Sequence, residues 1–256
     1  MARKVPLTRF PDAVAVQYSS SMKKLLKELR FMVLKVFDDS IKPAMTAYRN
    51  DTMRNDGPLD VIRHALDLMK ALSLGIFPSD TIRNITSVFV NGVDRFNRNN
   101  MQAQARVKGI DVLANEPWLE SFKKAAVAEN VSLIKNLKDK QLLDIELIVY
   151  QGVKNGQSQK EIRELMMERF DMSYNRAQLI AVDQTGSVLS QMTAKRHKVM
   201  GIERFKWSTS KDERVRPRHK ELDGKVFDYD DPPSEGMPGM PIRCRCVAIP
   251  VFEYSN

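Results

Sequence analysis

Residues 205–250 read FKWSTSKDERVRPRHKELDGKVFDYDDPPSEGMPGMPIRCRCVAIP. Here the chain stops repeating apolar residues at helical spacing and turns to alternation, Gly and Pro. Ile202 to Ser208 alternates and predicts a strand. Asp223-Gly224 lies between HKEL and KVFDY, which predicts a two-residue type I′ hairpin, because such a turn needs positive φ at both central residues. Arg216 precedes Pro217 and is biased away from helix. Asp231 to Pro241 carries Pro232, Pro233, Gly236, Pro238, Gly239 and Pro241 and predicts a stiff surface loop. Ile242 to Phe252 reads as a closing strand.

Outward from this stretch, the chain is helical. Asp12 can cap a first helix whose stripe runs Met22, Leu25, Leu26, Leu29, Val33 and Phe37, with Pro43 near its end. Pro58 suits the first turn of a second helix, with Leu59, Ile62, Leu66, Met69 and Leu72 inward and Gly75 as its stop. Ser79 can cap a third. Gly109 to Pro117 is the candidate boundary. Pro117 opens a long helix ended by Gly152 and Gly156. Ser158 and Glu161 form a capping box for the next. Ser173 caps a last long helix that Gly201 stops. The expected fold is α+β by segregation: a basic helical region over residues 1–110, a helical core over 111–200, and a β-rich module over 201–256.

The 256 residues, 43% of them hydrophobic, suffice for one large or two small cores. The net charge of +9 is uneven. Residues 1–110 hold 18 Lys+Arg against 10 Asp+Glu, and the remainder 23 against 22. Lys195 to Lys220 adds a local excess of 10 basic over 3 acidic residues. Nucleic acid is the partner this suggests, and a solvated basic face accounts for the charge equally well. Two Cys two positions apart form no secreted disulfide framework, so a reducing cytosol is expected. The start, MARKVPLTRF, lacks the apolar stretch of a signal peptide, and no run reaches membrane-span length.

The candidate chemistry sits in the last fifty residues. Cys244 and Cys246 share one face of a strand or a knuckle. With His219 and Asp212 they offer thiolate, imidazole and carboxylate, a donor set for a structural zinc with closed coordination. The alternative is two small buried apolar residues beside a hydrogen-bonding histidine. Asp212, His219 and Asp223 can also be read as a metal nuclease centre with His219 as general base. No phosphate-binding Gly loop, nucleophile elbow or paired-carboxylate motif accompanies them, so no catalytic residue is assigned. Asp212, Arg214, Arg216, His219, Asp223 and Gly224 read best as a structural network. Lys195, Arg196, Lys198, Lys206 and Lys211 are the candidates for phosphate contact. Trp207 reads as core, and His64 and His197 as surface or packing residues.

The ordered set W-S-T-S-x-D-x-R-V-R-P-x-H, L-D-G-K-V-F, D-D-P-P and P-G-x-P-I-x-C-R-C resembles the C-terminal signature of the phage Mu F-like minor head proteins, or phage head morphogenesis proteins. Upstream, Glu129-Asn130-Val131 with Leu133-Ile134-Lys135, the Gly156 to Ser158 turn and Arg176-Ala177 with Ile180-Ala181 look like the same family's helical region. The resemblance covers roughly Ile110 to Pro250. It implies a minor capsid protein inside a tailed-phage head, made in the host cytoplasm. It implies association with the portal and packaged double-stranded DNA, with scaffold or major capsid protein as a further partner. The implied action is in head assembly and in DNA packaging or ejection. The alternative from another class is a metal-dependent nuclease or other DNA-processing enzyme. A third, a host-directed effector carrying this module, finds only a short tail after Pro250. The basic helices of residues 1–110 are expected to contact the portal.

Overall fold

A computed structural model of the protein describes residues 5–50, 57–107 and 116–252. Part of the predicted boundary at Gly109 to Pro117 lies outside the described residues. Helix α1 (Asp12–Val36) passes through a π-helical turn, Phe37–Ile41, into α2 (Lys42–Asn50). Then come α3 (Gly57–Ile76), α4 (Ser79–Arg106), α5 (Leu119–Lys154) and α6 (Gln159–Val199). Strand β1 (Arg204–Ser208), the short helix α7 (Pro217–Leu222), β2 (Val226–Asp228) and β3 (Val247–Val251) complete the order. Helices followed by a small antiparallel sheet make this an α+β chain. The sheet order is β2-β1-β3, with Phe205 opposite both Phe227 and Pro250, and Trp207 opposite Ala248.

The chain forms two compact units. One comprises Met1–Tyr18, Thr86–Asn130 and Gln178–Asn256; the other comprises Ser19–Ile85 and Val131–Ala177. Residues 1–110 and 111–200 each contribute to both, while 201–256 belongs wholly to the first.

The unit of Ser19–Ile85 and Val131–Ala177 is all helical. Leu26, Leu29, Val33, Ile62, Ile134 and Phe170 are almost fully buried in it, as the apolar spacing requires. On α3 the buried face is Ile62, Leu66, Met69 and Ser73, while Leu59 and Leu72 are exposed, so the predicted stripe extends too far at both ends. The capping box forms: Glu161 N–H donates to Ser158 Oγ at 3.1 Å, and Ser158 N–H to Glu161 Oε2 at 2.6 Å. The stop before it is a Schellman turn. Gly156 takes φ +66°, Gln157 N–H donates to the Gly152 carbonyl and Gly156 N–H to that of Val153. Gly152 itself stays helical, close to Ile162. Ser173 does not start a helix. It lies within the 41-residue α6, buried, and donates to the Gln141 side chain. Serine caps only where the backbone frees an N–H, and no Gly or Pro frees one between Gln159 and Ser173.

In the other unit the β module has its own core: Phe205, Trp207, Leu222, Tyr229, Cys244, Cys246 and Ala248. The end of α6 is a second Schellman turn, with Gly201 at φ +71° and Ile202 N–H donating to the His197 carbonyl at 2.9 Å. HKEL is not a strand. Pro217 opens α7 at its first turn, where a missing N–H costs nothing, and the helix runs through Leu222. Asp223-Gly224 therefore makes a type II turn rather than the predicted I′ hairpin. Asp223 has φ −57° and ψ 126°, Gly224 has φ +81°, and Lys225 N–H donates to the Leu222 carbonyl at 3.0 Å. The Pro-rich loop seats on α6 through two glycines. A Cβ on Gly186 would come within 2.5 Å of the Gly239 carbonyl oxygen, and one on Gly239 within 2.8 Å of that of Gly186.

Candidate functional site

Three segments converge on one buried cluster. Helix α7 supplies His219, and the chain entering β3 supplies Cys244 and Cys246. A turn closed by Cys244 N–H donating to the Pro241 carbonyl at 2.9 Å sets that entry, with Arg243 at φ +58°. Arg243 N–H donates to Asp183 Oδ1 of α6 at 2.5 Å and anchors the turn. Beyond it the chain is extended, so alternate residues face alternate ways: both sulfurs point inward and Arg243 points out. The Pro-rich loop is the third segment and supplies Glu235.

His219 Nδ1 lies 3.6 Å from Cys244 Sγ and 3.5 Å from Cys246 Sγ. The three donor atoms all lie within 4.8 Å of one another, the residues are buried, and both thiols are free. Cys244 Sγ also accepts the backbone N–H groups of Gly239 and Cys246, each at 3.4 Å. The Cys246 thiol, with those N–H groups, lowers the Cys244 thiol to about 6 against the cost of burial. Its partner Cys246 is pushed the other way, by the bond to Cys244 and by burial. The far ring nitrogen, His219 Nε2, faces Glu235 Oε2 at 3.5 Å and has no hydrogen-bond partner. A cavity of about 20 Å³ adjoins the cluster, with Ser210 and Arg216 in its wall.

Asp212 stands outside this group. Its carboxylate takes Arg214 in a fork, Nη2 at 2.6 Å and Nε at 3.2 Å, and the guanidinium holds it below the usual carboxylate range. Asp223 is occupied as well, its Oδ1 accepting Thr209 N–H at 2.8 Å and Thr209 Oγ at 3.0 Å. Among the described residues, His219, Cys244 and Cys246 form the group of three metal-competent side chains. The Asp212–His219–Asp223 constellation of a nuclease centre does not assemble. Arg216 donates to the Ile242 carbonyl and so ties α7's start to the turn before Cys244.

The five candidate phosphate contacts divide. Lys206 and Lys211 are exposed on the β module. Lys195 is exposed with its ammonium over Trp118 and Phe122, 5.2 and 5.0 Å from the ring centres. Lys198 pairs with Asp230. Arg196 cannot reach DNA: it is 1% exposed and donates to Glu116 Oε1 at 2.7 Å, Asp94 Oδ1 at 2.6 Å and Asn97 Oδ1 at 2.6 Å. Its place on α6 points it into the unit, where two carboxylates meet it. Sequence reasoning missed Arg9, which lines a cleft of about 370 Å³ with Lys211, Arg214 and Arg245. The cleft joins residues far apart in the chain, so no local pattern marks it.

His197 is fully buried, its Nδ1 bonded to the Tyr229 hydroxyl. Burial lowers its pKa to about 3. A histidine held neutral in the fold and free to protonate when unfolded lowers stability as pH falls below about 6.5, and goes on doing so down to its folded value. Urea unfolding between pH 7 and pH 4 should therefore show a falling midpoint, with a shallower fall in His197→Gln. Equal slopes for the two proteins would show that other groups carry the acid sensitivity.

Residues 143–249 match the family described as Phage Mu protein F like protein. An uncharacterized protein of Haemophilus influenzae is 34% identical over 178 residues, covering 68% of this chain and 40% of that protein. A protein of Enterococcus faecalis named NAD(+)--arginine ADP-ribosyltransferase EFV is 29% identical over 159 residues, 55% of this chain and 32% of that one. The chain thus spans less than half the length of each of these two relatives. No solved structure matches it.

Proposed function

From the premise that this chain is a phage Mu F-like protein by its residues 143–249, we propose that it is a minor head protein of a tailed bacteriophage, a binding and assembly component rather than an enzyme. It would sit inside the capsid, associate with the portal, contact packaged double-stranded DNA and act in head assembly and DNA packaging or ejection. Scaffold or major capsid protein would meet it during assembly. The carrying observation is the match itself, whose C-terminal signature residues fold into one module with its own core around a buried Cys/His cluster. The described residues include no helix long and apolar enough to cross a membrane.

Two surfaces support separate contacts with portal and with DNA. On α1, Phe31 is 73% exposed beside Lys23, Lys27 and Arg30, in a groove of about 510 Å³. An apolar ring rimmed by cations suits an acidic protein surface, and we assign portal contact to it. On the β module, Lys206, Lys211 and the Arg9–Arg245 cleft present charge to phosphate.

The test uses point variants, because residues 1–110 contribute to both units and their removal would unfold the protein. Phe31→Asp with Lys27→Glu should lose co-purification with the portal and drop out of purified particles while melting normally. Lys206→Glu with Lys211→Glu should stay portal-bound but lose salt-sensitive retention of DNA. Normal packaging of the first variant removes the α1 assignment. Cleavage of plasmid with Mg²⁺ or Mn²⁺ by the wild-type protein, abolished in His219→Ala, would replace the assembly reading with the nuclease one.

A further inference from the structure

We propose that His219, Cys244 and Cys246 bind one zinc ion through Nδ1 and the two sulfurs, with a water in the adjoining cavity as fourth ligand and Glu235 fixing the imidazole from behind. This inference is independent of the head-protein reading.

Geometry carries it. Zn–S bonds of about 2.3 Å and Zn–N of about 2.0–2.1 Å at tetrahedral angles hold each N···S pair about 3.6 Å apart. The two pairs here measure 3.6 and 3.5 Å. One S–H···N hydrogen bond would account for one of these distances, but a neutral ring nitrogen has a single lone pair to accept with, and two sulfurs at that separation around it are what a shared ion supplies. The third edge of the triangle, sulfur to sulfur, is under 4.8 Å, and closing to about 3.8 Å would complete the same tetrahedron.

Charge and polar bookkeeping agree. Two thiolates and a neutral imidazole leave a divalent zinc site neutral, which is what a dry core tolerates. The backbone N–H groups of Gly239 and Cys246 both aim at Cys244 Sγ, the arrangement that suits a sulfur carrying negative charge. Binding through Nδ1 places the ring's one hydrogen on Nε2. That atom is otherwise orphaned, and Glu235 Oε2 is the group it faces at 3.5 Å. A carboxylate behind a ligating histidine fixes its tautomer and raises its basicity. Asp212 has no part in it, since Arg214 holds its carboxylate. The cavity of about 20 Å³ has room for one water, for which about 10–15 Å³ suffices.

Full-length protein purified under reducing conditions from zinc-replete medium should contain close to one equivalent of zinc by elemental analysis. Cobalt(II) exchange should give tetrahedral d–d bands and a sulfur-to-cobalt charge-transfer band. Cys244→Ser and Cys246→Ser should each lose that charge-transfer intensity and the metal. Glu235→Gln should keep the spectrum and weaken zinc affinity about 10–100-fold, and Asp212→Ala should change neither. Because cysteine variants can misfold, the wild-type protein supplies a second readout: chelation should lower its melting temperature and zinc alone should restore it. Reduced wild-type protein that holds no zinc and takes up no cobalt overturns the proposal. So does a Cys244–Cys246 disulfide in freshly isolated protein, or loss of metal in Asp212→Ala with Glu235→Gln unaffected.

Discussion

Arg196→Ala is expected to cost roughly 3–5 kcal/mol, because removing the buried centre of an ion network leaves Glu116 with only the part-exposed Arg98 and Asp94 with only Lys123 at 3.7 Å. Glu116 and Asp94 have side chains only 6% and 13% exposed, and both point at the Arg196 guanidinium. Asn97 bridges the same guanidinium to Thr193, accepting at 2.6 Å and donating at 2.7 Å. At about 2–4 °C per kcal/mol for a chain near this size, the melting temperature should fall by about 6–20 °C. Arg196→Lys should recover only part of the loss, since one ammonium cannot donate along three fixed directions. Adding Asp94→Asn and Glu116→Gln to Arg196→Met should recover more, by removing the charges themselves. A single-variant loss below about 1 kcal/mol would mean that water reaches the carboxylates and the network is not sealed.

Trp207→Ala is expected to cost about 3–5 kcal/mol through the cavity it leaves. Trp207 is fully buried on the central strand, opposite Ala248, and its ring meets that of His219 edge-on at 5.3 Å. It touches sheet, α7 and cysteine segment together, so the loss should appear as a lower urea midpoint with increased exposure of the thiols to a thiol reagent. Trp207→Phe should retain most of both. If thiol reactivity stays at wild-type level in Trp207→Ala, the ring does not seal the cluster and the core assignment is wrong.

The sequence told a good deal of this through local rules. Asp12, Ser79 and the Ser158/Glu161 box begin helices where expected, and Gly156 and Gly201 end them, because caps act on the nearest four backbone groups. The α+β order, the strand expected over Ile202–Ser208 and found over Arg204–Ser208, and the Pro-rich loop are equally legible. The errors arose where distant partners decided. Ser173 has a cap's chemistry and was drawn into α6 by a buried acceptor on α5. Asp223-Gly224 has a hairpin's composition, but Pro217 committed the preceding residues to a helix and a type II turn resulted. Arg196 sits in a basic run, and two carboxylates 80 and 102 residues earlier in the chain claim it. Cys244, Cys246 and His219, which their types suggest as one group, lie together in the fold. Nearness in sequence suggests Asp212 as their carboxylate, whereas Arg214 holds Asp212 and Glu235, in the Pro-rich loop, faces the ring.

The paired glycines between α6 and the Pro-rich loop bear on how this protein can be dissected or grafted. Gly186 and Gly239 meet backbone to backbone, so the junction contains no side chain that a second substitution could shrink in compensation. Whatever host a designer chooses for residues 201–252, the helix surface around Gly186 and Asp183 must travel with them, since the loop that holds Glu235 and the turn before Cys244 are moulded on it. The smallest transplantable piece therefore begins inside α6, not at its end.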